Sequence, residues 1–414
     1  MPAVALSPSP TLIATCDSTL SSGDGSSPPV NSLVRRIHGW TWQAFPIGMG
    51  TGAVYTVLSG IKHRPAWLVY LEAAFYFLNI ALFSLNTSTL FLQAILYPRQ
   101  ARRLITDSSK NIFVPLLVLS FATILIGTVN YAVPSGYIGP DKIYVLFWIY
   151  VTLSILVSFP LLMIWFNQPH DIRTFTPAWA FLIFPMMLVG VIAFKVLTVM
   201  DPADTNSIGV LLVGYFFQGI GFFVTILYIG VYFLRIMVTG FMDGHQANGT
   251  FVACGPPGFT AFALLNLGDH AQKILTLHNL VSPRAGEIIF ASSVLSSLLL
   301  FGLAVFLFVF GLLPYWFKLH KHLSEILGCW ALTFPNVGWI SMLRGLGDTL
   351  NIPGFYIVHA VMATLMCLTW LVLFTLTGVA FYRGEIFFAK PEDVLRDTKG
   401  EDQINDTEKL SQSV

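Results

Sequence analysis

Ten apolar runs, each about as long as a helix that crosses a bilayer, leave this chain little choice of architecture. They lie near residues 41–61, 67–96, 112–132, 142–166, 177–199, 208–238, 250–267, 285–316, 323–343 and 355–382. The seventh is the shortest, and Pro256, Pro257 and their flanking glycines interrupt it. Charge is too sparse for a soluble enzyme: 10% of the 414 residues are charged and 55% are apolar, where soluble domains carry about a quarter charged. With 22 basic against 21 acidic residues, the electrostatic footprint of a nucleic-acid binder is missing as well. The 35 Phe, 14 Tyr and 10 Trp suit a surface that meets lipid tails and headgroups. The expected fold is an all-α integral membrane protein with ten transmembrane helices, and the lipid bilayer is its first partner.

Loop charge sets the orientation. With the N-terminus in the cytosol, 15 Lys and Arg fall in inside segments, six fall outside, and Lys195 lies within a span. That asymmetry matches the positive-inside rule, so both termini are expected in the cytosol and the number of crossings is even. Residues 1–34 are rich in Ser, Pro and Gly, with no basic residue before Arg35, and read as a disordered cytosolic tail rather than a cleaved leader. Residues 385–414 read as a second disordered cytosolic tail, which leaves 35–384 as the membrane domain. The sequons beginning at Asn86, Asn248 and Asn405 fall in a span or on the cytosolic side, in keeping with that orientation. Cys16 sits in a polar tail and Cys254, Cys329 and Cys367 in apolar runs, so neither a disulfide framework nor a cysteine zinc site is expected.

The odd-numbered runs share a mark. Each carries a proline: Pro46, Pro115, Pro185, Pro256 and Pro335, spaced by 69, 70, 71 and 79 residues. Three occur as Phe-Pro, at Phe45-Pro46, Phe184-Pro185 and Phe334-Pro335. A period of that size implies five helix pairs, stacked or arranged in a ring, whose two members occupy different environments. Proline inside a helix removes an amide donor and frees the carbonyl four residues earlier, here near Trp42, Phe181 and Ala331. Such backbone cannot face lipid, so the five prolines are expected as kinks in inner helices that line a central pathway, with the even helices as a supporting outer ring.

Residues able to act on a solute are few. Phe45, Gly50 and Thr51 in the first span, Phe184 in the fifth, Gly255 and Thr260 in the seventh and Thr333 in the ninth are the candidate pathway residues. In the first span, close packing through small residues is the competing explanation. Lys195 is the one cation well inside a span; it attracts an anion or snorkels toward the outer edge that Asp201 marks. Glu72 is assigned to structure, paired with Lys62 or Arg64. The polar run Asn79, Ser84, Asn86, Thr87, Ser88, Thr89 and Gln93 is assigned to bonds between helices. His320 and His322 stand beside Lys318 and Lys321 in a loop, a poor metal site. No HExxH, phosphate loop or buried carboxylate pair occurs, so no catalytic residue, metal or cofactor is expected and the chain is not read as an enzyme.

The opening span with MGTG at 49–52, CGPPGFTAFALLNLG at 254–268 and CWALTFP at 329–335 together resemble the tellurite-resistance/dicarboxylate transporter family, which includes slow-type anion channels, sulfite efflux pumps and malic acid transporters. The resemblance covers about residues 35–385. It implies five helical hairpins around a central pore, an inner ring of proline-kinked odd helices, and a homotrimer with one pore per subunit. It also implies a pore-occluding phenylalanine on the ninth helix, which falls on Phe334. The GPPGFT text resembles the fungal malic acid transporters more than the sulfite pumps. The expected substrates are then malate, succinate and fumarate-like dianions, with protons as a coupled partner and the plasma membrane as location. A sulfite pump or a passive anion channel on the same scaffold is the alternative; a membrane receptor would call for an odd crossing number.

Overall fold

The computed structural model describes residues 30–242, 248–317 and 325–398, and within these every regular element is helical. The expected disorder of 1–29 and 399–414, and the histidine pair at 320 and 322, lie outside the described residues. We label ten helices α1 (Phe45–Leu58), α2 (Ala66–Leu96), α3 (Leu116–Gly127), α4 (Pro140–Phe166), α5 (Phe184–Leu197), α6 (Thr205–Thr239), α7 (Gly249–Leu277), α8 (Ala285–Phe317), α9 (Val337–Leu350) and α10 (Pro353–Arg383). Among the described residues, eight segments are long and apolar enough to cross a membrane: Ser109–Ala132, Ile326–Leu350 and the helices α2, α4, α6, α7, α8 and α10. The seventh run, expected to be short, is a 29-residue helix; its polar second half, including Asp269 and Lys273, had cut the apolar run at 267.

Burial alternates along the chain. In the apolar windows of Ser109–Ala132, α7 and Ile326–Leu350, 72, 83 and 78% of residues are buried, against 22 to 39% in those of α2, α4, α6, α8 and α10. Of the 14 residues in α1 all but Pro46 are buried, and of the 14 in α5 all but Lys195. The physical cause is the packing order. Helices α1, α3, α5, α7 and α9 each pack on the next, and α9 returns to α1, so the odd helices close a ring; the even helices pack outside it, α2, α6, α8 and α10 chiefly on the odd helix that precedes each and α4 chiefly on α5. Inner helices have protein on every side, while outer helices leave Phe77, Phe91, Leu156, Phe223, Leu299 and Leu371 exposed.

Three amides of the polar run on α2 fasten this ring as expected, but its hydroxyls do not: Thr89 donates to the Leu85 carbonyl of its own helix, and Ser84, Thr87 and Ser88 are exposed. Asn79 donates to the Tyr55 hydroxyl at 3.1 Å and to Thr123 Oγ1 at 2.8 Å, which ties α2 to α1 and α3. Asn86 donates to the Ala44 carbonyl at 3.1 Å, and the Gln93 amide lies 2.7 to 2.9 Å from the carbonyls of Ile37, His38 and Trp40. Glu72 pairs with Arg64 at 3.1 Å and accepts the Tyr131 hydroxyl.

The stretches expected to be disordered carry structure at their inner ends. Helix Ser32–His38 begins inside the expected N-terminal tail, and helix Pro391–Thr398 inside the C-terminal one. A few long-range contacts suffice: Val394 is buried, the Ala389 amide donates to the Arg35 carbonyl while Arg35 Nε donates to the Ala389 carbonyl, and Asp397 accepts from His38 Nε2 at 2.8 Å.

Candidate functional site

A cavity of about 700 Å3 enters one end of the ring. All five inner segments reach its wall through their N-terminal turns: Met49 of α1, Leu119 of α3, Phe184 of α5, Gly255 of α7, and Pro335 just ahead of α9. The C-terminal halves of these helices do not, so the inner helices all start at the same end and the cavity is blind.

The prolines explain why the helices start there. They do not kink continuous helices, with the exception of Pro256 and Pro257 inside α7. Pro46 and Pro185 occupy first-turn positions of α1 and α5, Pro115 caps α3, and Pro335 lies in a 3-10 turn that leads into α9. First-turn amides have no intrahelical acceptor, so proline loses nothing there, and its fixed φ suits a helix start. The preceding chain is wound as 3-10 turns at Trp42–Ala44, Pro177–Leu182 and Trp330–Leu332. One carbonyl expected to be freed, that of Trp42, accepts the Phe45 amide instead, while Phe181 and Ala331 line the cavity.

The electrostatics come from backbone rather than side-chain charge. Among the described residues, Glu325 and His170 are the ionisable members of the lining, which includes no described Lys or Arg. His170 lies flat on Trp165, centroids 3.9 Å apart, with Nε2 at 2.9 Å from the Trp165 carbonyl. Four helix starts at 45, 116, 184 and 337 surround the inner end of the cavity, each equivalent to roughly half a positive charge. Many first-turn amides are satisfied locally, Leu116 by Phe113 and Met186 by Ile183, so the field rests on aligned dipoles more than on free donors.

The blind end is aromatic. Thr333 joins the 3-10 turns Trp330–Leu332 and Phe334–Asn336 in non-helical geometry at φ −99° and ψ −89°, and Phe334 opens the second turn. Phe334 is 6% exposed, and its ring centroid lies 5.1 Å from that of Phe259.

Of the candidate pathway residues, Pro46, Phe184, Gly255, Phe334 and Pro335 lie together on the cavity wall. The others lie elsewhere. Phe45 is fully buried beside Trp42 and Phe83. A Cβ on Gly50 would stand 2.5 Å from the Trp330 ring, so this glycine admits a neighbouring side chain rather than a solute. Thr51 donates to the Ile47 carbonyl and accepts from Trp370; Thr333 donates to the Trp330 carbonyl; Thr260 accepts from Gln218 at 2.8 Å. Lys195 lies eleven residues beyond Phe184 on α5, roughly 16 Å further along the axis, and its Nζ is 5.6 Å from the Phe194 ring. Sequence reasoning missed Phe259, Gln43 and Asn248. Phe259 lies inside the quoted GPPGFT text; Gln43 sits in the 3-10 turn ahead of α1 and Asn248 caps α7, so their place on the wall follows from helix starts that hydropathy does not mark.

Fold and cavity define a class: a multi-pass integral membrane protein whose inner helices surround a blind cavity with no Lys or Arg among its described lining residues. The chain belongs to the voltage-dependent anion channel family (SLAC1), whose sequence profile matches residues 39–378. It is thus an anion transporter or channel. It is 27% identical over 366 residues to the malic acid transport protein of Schizosaccharomyces pombe, covering 87% of this chain and 83% of that one. It is 24% identical over 357 residues to the sulfite efflux pump SSU1 of Trichophyton rubrum, covering 84% of this chain and 92% of the pump.

Proposed function

We propose that the chain carries small organic anions, malate and other C4 dicarboxylates, along the axis of the ring, with Phe334 as the gate. The observation that carries the reading is the convergence of inner helix starts on a blind cavity whose described lining includes no Lys or Arg and whose end is two phenylalanines. Dipoles of this kind attract anions without holding them, and low affinity with high flux follows. The likeness to a malic acid transport protein supports the choice of substrate.

Ten crossings in five hairpins fit the dimensions. Helices α1 and α5 span about 21 Å each, and their 3-10 lead-ins add about 6 and 12 Å, which brings both near the roughly 30 Å of hydrocarbon. In this reading both ends of the chain and the cavity mouth are cytosolic, the membrane is the plasma membrane, and three copies assemble with one pathway each. An inside-negative potential opposes anion entry by about 2.3 kcal/mol per charge per 100 mV. Export of the dianion is therefore electrically downhill, whereas uptake calls for a protonated acid or a coupled proton.

The test is a substrate panel in a yeast host lacking its own carriers. Radiolabelled malate and succinate uptake is followed at two external pH values on either side of the second malate ionisation. Malate flux above the empty host, greater at the lower pH, is the expected result. Sulfite tolerance without malate flux would replace the reading with the sulfite pump, a function named for a relative that covers 84% of the chain.

A further inference from the structure

A second pocket lies away from the axis. Helix Pro98–Thr106 follows directly on α2, and spacing of three, four and seven residues puts Arg99, Arg102, Arg103 and Thr106 on one face. Leu104 is the buried anchor of the opposite face, and its carbonyl accepts the Trp42 indole at 3.2 Å. Against the arginine face stands helix Pro391–Thr398, which adds Arg396 and Asp397. Together they enclose about 340 Å3 lined by four arginines, one threonine and one carboxylate.

The carboxylate is already committed. Asp397 Oδ2 takes His38 Nε2 at 2.8 Å, and both oxygens take the Arg103 guanidinium at 3.0 and 3.2 Å. Arg99, Arg102 and Arg396 are exposed and form no ion pair among the described residues. The other acids of these elements do not help: Asp107 is bonded to Ser109 and paired with Lys110, and Glu392 and Asp393 are not part of the lining. Three guanidiniums that have no acidic partner among the described residues repel one another in one concavity, and an anion offering several oxygens relieves that repulsion. A guanidinium fork takes two oxygens at a time, so one carboxylate is used up by a single arginine, whereas a phosphate group has oxygens for several.

The surroundings fit as well. The last turns of α2 leave Phe91, Leu92, Ile95 and Leu96 exposed, as expected of a lipid-facing end, so the arginines begin where the apolar surface stops. Ser109, three residues beyond Thr106, is on the wall of the central cavity. We propose that this pocket binds a phosphate group, carried by a lipid headgroup or by a soluble phosphate.

Two arms separate the sources, both with purified full-length protein in detergent. One measures equilibrium dialysis of radiolabelled orthophosphate, the other fluorescence anisotropy of a short-chain phosphatidylinositol bisphosphate. Saturable orthophosphate binding assigns a soluble source, and binding in the lipid arm alone assigns the headgroup. In the arm that binds, R99Q/R102Q/R396Q and T106E are expected to weaken binding about tenfold or more, because each removes or opposes charge-assisted bonds. K142Q, an exposed cation elsewhere, should leave binding unchanged. T106E keeps every arginine, so it decides the matter if the triple variant fails to fold. Binding in neither arm, or wild-type binding by T106E together with any folded triple variant, overturns the assignment.

Discussion

Phe334 and Phe259 meet at the blind end of the cavity with ring centroids 5.1 Å apart and planes inclined by 35°. Two glycines set that distance. A Cβ on Gly338 would stand 2.3 Å from the Phe259 amide nitrogen, and one on Gly258 would stand 2.9 Å from that of Trp339. The backbones of α7 and α9 touch there, which is close enough for one aromatic from each to close the gap between them.

Replacing Phe334 by Ala should raise basal anion flux. Burying a phenylalanine side chain is worth about 2–3 kcal/mol, and each 1.4 kcal/mol is a factor of about ten in the open population. We expect an increase of about tenfold in anion current from injected oocytes, with a smaller rise for Phe259→Ala. Unchanged current at equal surface expression would remove Phe334 from the gate.

The two glycine contacts predict opposite outcomes for one substitution. Gly338→Ala drives a methyl into backbone that cannot yield, and overpacking of this kind costs about 1–3 kcal/mol. A Cβ on Gly255 would meet Pro335 at 3.5 Å, an ordinary contact. In detergent, the melting temperature of Gly338→Ala should fall by several degrees and that of Gly255→Ala should stay near wild type. Equal losses would mean the helix crossing is looser than the contact distances imply.

Much of this architecture was legible in the sequence, because apolar length and proline position are one-dimensional facts. The run near 112–132 and the Phe-Pro pairs marked inner segments correctly. The kinks were misplaced: a proline's effect depends on whether the chain before it is helical, and at Pro46, Pro185 and Pro335 that chain is a 3-10 turn. The hydroxyls misled for a related reason. In apolar surroundings a threonine in a helix finds an acceptor one turn back, as Thr51 does at Ile47 and Thr56 at Gly52, which removes its proton from any solute. Phe259 and the helix Pro391–Thr398 depend on contacts between distant segments that hydropathy does not report.

Asn79 offers a milder test of the inner network. Its amide reaches both the Tyr55 hydroxyl and Thr123 Oγ1, yet those two groups already donate to the carbonyls of Thr123 and Ser120. Asn79→Leu thus leaves no buried donor stranded and should cost only about 1 kcal/mol. Denaturation in mixed micelles would show it, and a loss well above that would point to a partner for Asn79 Oδ1, which has none among the described residues.

Lys195 decides how far the conduction path is governed by the cavity. It is the one residue of α5 that is not buried, and it forms no ion pair among the described residues. A cation near an anion path raises local anion concentration, and roughly 16 Å beyond Phe184 along the helix its pull on a unit charge is about 1 kcal/mol at an effective dielectric of about 20. Lys195→Gln should therefore lower malate flux by no more than about fivefold, whereas Phe334→Ala raises it about tenfold. If Lys195→Gln instead abolishes flux in a normally expressed protein, the limiting step lies beyond the aromatic closure, at the far end of α5, and the phenylalanine pair is not what sets the rate.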